Sequence, residues 1–153
     1  MDNYTTLVDL IIQAELDGKP LHERILKLGK TPDYLLHHAG FSDLPLVITG
    51  SVVGKACFDH GIAKSVLHKL PAIIENSTKL FAPADERHKD SVVVLTAEIK
   101  GGYPIIVPIR KNKRMGRTEV FNAVSSVYAK EGPDPAVKWT QEGLLLWSAS
   151  TAV

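Results

Sequence analysis

The stretch SVVVLTAEIKGGYPIIVPIRKNKR, residues 91–114, decides how the chain is read. Two runs rich in β-branched residues, 92–99 and 103–110, are joined by Lys100, Gly101 and Gly102. Adjacent glycines supply the positive φ angles that tight hairpin turns require. The chain before this hairpin reads mostly helical, and the chain after it offers further strands and one short helix. The hairpin should therefore lie in the middle of its sheet. The expected fold is α+β, with N-terminal helices packed on an antiparallel sheet of about four strands.

Upstream, Thr5 or Thr6 can cap a helix whose apolar face is Leu7, Leu10, Ile11 and Ala14, stopped by Gly18 and Pro20. Leu21, Ile25 and Leu28 repeat a helical spacing before Gly29, and Thr31 with Pro32 opens a third short helix. Residues 1–40 thus read as a helical preface to an α+β domain over residues 41–153, the whole forming one compact unit. Within that domain, residues 45–48 suggest an extended piece. Thr49 or Ser51 can then cap a helix through Cys57 and Phe58, and Gly61 ends it. Two more short helices should come next, the second begun by Pro71, then a small strand at residues 79–82 and an exposed loop.

Beyond the hairpin, alternation over residues 119–128 favours a strand, with Asn122, Ser126 and Tyr128 on one parity. Asp134 can cap a helix through Trp139, and the run LLLW at residues 144–147, apolar on both parities, fits a strand covered on two sides.

The chain has 153 residues, 44% hydrophobic and 23% charged, with net charge +1, enough for a core without staples. A near-neutral molecule is neither drawn onto nucleic acid as a whole nor shaped as an acidic mimic of it. Local charge matters more: Arg110, Lys111, Lys113, Arg114 and Arg117 place five cations within eight residues, either a solvated loop or a phosphate-facing patch. Cys57 is the only cysteine, which excludes an intrachain disulfide, and the histidines lack metal-ligand spacing, so neither metal nor cofactor is expected. The N-terminal segment, interrupted by Asp9, Gln13 and Glu15, reads as neither signal peptide nor membrane span, so a cytoplasmic setting is expected.

Several strings, taken in order, resemble the C-terminal domain of phage MuF-type proteins: DHGI, LPAII, VVVLTAEI with YPIIVPIR, NAVSSVYAKEG, a tryptophan, and a closing LLLW. The resemblance spans residues 44–148. It implies kinship with phage-associated nucleases of the barnase, EndoU, colicin and RelE-like superfamily, with helices packed on one face of a sheet of about four antiparallel strands. It further implies a mobile-element RNase toxin, acting without metal on RNA and countered by an immunity protein. The alternative is a catalytically silent relative that binds and inhibits a host defence protein or a nucleoprotein complex.

Cleaving RNA without metal needs a base for the ribose 2′-hydroxyl, an acid for the leaving 5′-oxygen and a cation for the charge between them. His60, at the end of a helix before Gly61, is the expected acid or base, although a cap or a solvated ring explains it too. Arg110, at the end of the second hairpin strand, suits a phosphate through its planar fork, or an edge salt bridge. Ser126 and Tyr128 complete the expected catalytic set. Lys55, Lys111, Lys113, Arg114, Arg117 and Asn122 are the expected nucleic-acid contacts, Asn122 on a face that is either solvated or lines the cleft. Trp139 and Trp147 read as core packing.

Overall fold

The computed structural model describes residues 3–149, and Ser150 with the C-terminal tail lies outside them. Eight strands form one sheet: β1 (Ile25–Lys30), β2 (Pro45–Thr49), β3 (Lys79–Phe81), β4 (Ser91–Lys100), β5 (Tyr103–Met115), β6 (Glu119–Val124), β7 (Tyr128–Ala129) and β8 (Leu145–Ser148). Their order is β1-β2-β6-β5-β4-β3-β8, with β7 pairing β5 alongside β6. The hairpin β4–β5 is central as expected, and Gly101 and Gly102 turn it at φ 60° and 84°. The expectation of about four antiparallel strands is overturned. β2 runs parallel to β6, matching Leu46 with Asn122 and Val47 with Ala123, so the sheet is mixed, and it has eight strands rather than about four.

The helices are not all N-terminal either. α1 (Tyr4–Leu16) and α2 (Asp33–Ala39) precede α3 (Gly50–Gly54), α4 (Lys64–His68) and α5 (Leu70–Glu75), while α6 (Pro135–Gln141) lies late in the chain. Residues 21–28 are not a helix. Leu26 is fully buried and Leu28 half-buried in the main core, the period-2 placement of a strand. α1, β1 and α2 contribute Val8, Ile11, Leu26, Tyr34 and Leu35 to that core.

The main core lies between the inner sheet face and the helices, joining Ile105, Val107 and Ile109 of β5 to Val53, Leu67 and Ile74. The outer face holds two smaller clusters. Phe81, Leu95 and Ile106 are covered by Ala136 and Trp139 of α6, whose first turn is capped by Asp134. Val47, Phe121 and Ala123 form the other, flanked by Ile25 and Met115. Trp147 stacks on Tyr34 at 4.4 Å, so both tryptophans pack as expected. β8 is the sheet edge, not a covered strand, and Leu145 and Leu146 are exposed there. Among the described residues no helix is long and apolar enough to cross a membrane.

Candidate active site

The Thr49 hydroxyl accepts from the Val52 amide at 3.4 Å and starts α3, as its sequence position suggested. The helix then widens into a π turn over Lys55–Asp59, a local distortion that recurs at functional sites. Buried Ala56 and Ile62 anchor the turn on either side, with the Ile62 amide donating to the Ala56 carbonyl at 2.9 Å. Gly61 reverses the chain at φ 63°. His60 is left exposed between two fixed points.

Its ring lies 5.6 Å from that of Tyr128, centroid to centroid. Tyr128 sits on β7, opposite Ile106, with fully buried Val127 before it and the Lys130 amide bonded to the Pro104 carbonyl after it. Burial raises the Tyr128 hydroxyl above its ordinary pKa, so it stays the protonated donor that a tyrosine already is at neutral pH. Together the two rings border a cleft of ≈ 420 Å³ also lined by Phe58, Asp59, Lys100 and Glu131. Lys100 ends β4 at the hairpin turn and lies over Gly61, where an added Cβ would stand 3.2 Å from its Cε and 3.4 Å from its Nζ.

Lys100 and Glu131 are members of this cleft that sequence reasoning missed. Lys100 read only as a turn residue and Glu131 only as part of the string NAVSSVYAKEG, and the fold brings both to His60, Lys100 from the end of β4 and Glu131 from just beyond β7. The one available signal was the position of Lys100 in the hairpin turn.

The remaining expected site residues fall elsewhere. Arg110 lies four residues beyond Ile106 on β5, about 13 Å along the strand. Ser126 is half-buried in the break between β6 and β7, so the single alternating strand expected over residues 119–128 does not exist. Lys55 lines a neighbouring cavity of ≈ 460 Å³ with Glu15, Leu16 and His22, and the two cavities share Phe58 and Asp59. Lys111 donates to the Ala39 carbonyl at 3.3 Å, Arg114 bonds the Arg117 carbonyl within the β5–β6 turn, and Lys113 points to the outer face opposite Phe121.

Asn122 faces neither solvent nor the cleft. Its side chain is fully buried, accepts from the Asn112 amide at 3.1 Å, and donates to the Thr31 hydroxyl and the Ser42 carbonyl, both at 2.9 Å. Its polar group is spent inside the fold. His22 lies 3.1 Å from Glu15.

The fold and cleft describe an α+β protein with an open groove of titratable side chains at one end of a mixed sheet. Residues 52–151 match the phage MuF C-terminal domain, and the chain belongs to that family. No curated protein and no solved structure gives a significant match. The matched region begins inside α3, so it contains the π turn, the hairpin and β7 but neither β1 nor β2.

Proposed function

We propose that this protein is an endoribonuclease of the kind found among phage-associated toxins, cleaving RNA at the cleft of His60, Tyr128, Lys100 and Glu131. The reading is carried by the 5.6 Å approach of the His60 and Tyr128 rings within a cleft that also holds an ammonium and two carboxylates, Asp59 and Glu131. In the reaction a base takes the proton of a ribose 2′-hydroxyl and the 2′-oxygen bonds to phosphorus. The bond to the 5′-oxygen breaks, and an acid protonates that oxygen, leaving a 2′,3′-cyclic phosphate and a free 5′-hydroxyl. Glu131 and His60 are the titratable pair for those two proton transfers. Lys100 and the Tyr128 hydroxyl, one charged and one a neutral donor, stabilise the charge that builds on the phosphoryl oxygens.

Purified protein incubated with total RNA and with transfer RNA, with and without a chelator, tests this. Cleavage is expected in both conditions, with products ending in cyclic phosphate. His60→Ala is expected to lower the rate by about 10²–10⁴-fold. Tyr128→Phe and Lys100→Ala are each expected to lower it by about 10²-fold. Cleavage that persists at the wild-type rate in His60→Ala would exclude this cleft.

A second reading, binding to a host or immunity protein without catalysis, draws on a different observation. Leu16 and Phe58, 65% and 46% exposed, border the cavity beside Lys55 and offer an apolar anchor site for a protein. Failure to cleave any RNA would favour it.

A further inference from the structure

The sheet register aligns side chains that the sequence scatters. Lys27 pairs with Val47, Val47 with Ala123, and Ala123 with Arg110, so one straight row crosses β1, β2, β6 and β5 on the outer face. Three strand spacings separate its terminal cations, about 14 Å between backbones.

A bulge adds a third cation. Between Arg110↔Ala123 and Lys113↔Phe121, β5 advances three residues while β6 advances two. Residues three apart on a regular strand face opposite ways, but here the extra residue, Asn112 at φ 55°, returns Lys113 to the face of Arg110. The Asn122 side chain fixes this bulge by accepting from the Asn112 amide.

The floor between the cations is apolar and closed, since Val47, Phe121 and Ala123 are at most 5% exposed. Lys27 and Arg110 are exposed, Lys113 is half-buried, and among the described residues none of the three side chains has a hydrogen-bond or ion-pair partner. Nearby, Lys30 is held by Asp33 at 3.2 Å, and two carboxylates stand at the border: Asp43, which lines a shallow cavity with Lys27 and Lys30, and Glu119, opposite Met115. The α6 helix covers the other half of the outer face and leaves this half open.

We propose that this row, Lys27, Arg110 and Lys113, is a binding track for the phosphate backbone of single-stranded RNA. The assignment rests on the ribonuclease reading for the identity of the polymer. Three unpartnered cations over an uncharged floor complement a polyanion. A polymer is favoured over a compact acidic partner because the cations are spread across three strand spacings, about 14 Å, rather than gathered round one point.

The test uses a short fluorescent RNA with 2′-O-methyl riboses, which lacks the nucleophile and stays intact, with binding read by anisotropy at several salt concentrations. Affinity is expected to fall with salt. Lys27→Gln, Arg110→Gln and Lys113→Gln should each weaken binding several-fold and reduce the salt slope by about one. Lys138→Gln, which removes the same charge from exposed α6, should change neither. Wild-type affinity and slope in all three variants, no binding by the wild type, or stronger row-dependent binding of polyglutamate than of RNA would each overturn the assignment. Row-dependent binding without cleavage of unmodified RNA would leave the track standing and remove the ribonuclease reading. Cleavage with unchanged affinity in the variants would do the reverse.

Discussion

Asn122 shows how much one buried amide can fix. Three hydrogen bonds tie it to Asn112 on β5, to Thr31 before α2 and to Ser42 before β2, so it joins segments up to 91 residues apart. Removing a partner from a buried polar group costs the desolvation of what is left behind. Asn122→Ala would strand the Asn112 amide and leave Thr31 and the Ser42 carbonyl each short of a donor. We expect it to destabilise by about 3 kcal/mol, read as a shift in the urea midpoint. Asn122→Asp should be no milder, because it removes both donors and buries a carboxylate against the Ser42 carbonyl. A residue that only touched RNA would lower affinity and leave the midpoint unchanged, so the two roles separate in one measurement.

At the scale of elements, α3 depends on a contact that composition hides. A Cβ on Gly50 would stand 1.9 Å from the Leu21 carbonyl oxygen and 3.1 Å from Ile11, with the loop before β1 bonded to α3 through Gly50 to Arg24 and Ser51 to His22. The clashing atom is backbone and cannot swing aside. Gly50→Ala should therefore cost about 2–3 kcal/mol and loosen the π turn that carries His60. Gly116→Ala, where no atom lies within 4 Å, should lose only the smaller cost of its φ of 75°. Thermal unfolding of the two variants side by side measures the difference. The hairpin, the caps at Thr49 and Asp134 and the stop at Gly61 were legible in the sequence because each depends on residues within a few positions. β1 was not, since Leu21, Ile25 and Leu28 imitate a helical stripe and only pairing with β2 decides otherwise. Parallel pairing of β2 with β6 joins residues more than seventy positions apart and left no local mark. The same limit explains the site: His60 and Tyr128 could be singled out as residue types, but Lys100 and Glu131 become neighbours of His60 only through the sheet.

At the scale of the whole molecule, two tyrosines clamp the helical layer. Tyr4 on α1 donates to the Leu67 carbonyl on α4 at 2.7 Å, and Tyr34 on α2 donates to the Ile74 carbonyl on α5 at 2.5 Å. Burial pushes both hydroxyls above the ordinary tyrosine range. In the unfolded chain they release protons near pH 10, whereas in the folded protein they keep them to higher pH. The unfolded state thus binds fewer protons above about pH 10, and stability, complete below that value, falls as pH rises through the window between the two pKa values. Melting temperature should drop steeply there and hold nearly level below it. Tyr34→Phe keeps the ring on Trp147 and loses one hydrogen bond, so it should cost about 1 kcal/mol at neutral pH while making the alkaline fall shallower. With Tyr4→Phe added, most of the alkaline fall should vanish. A double variant that melts along the wild-type alkaline curve would show that the clamp does not govern it.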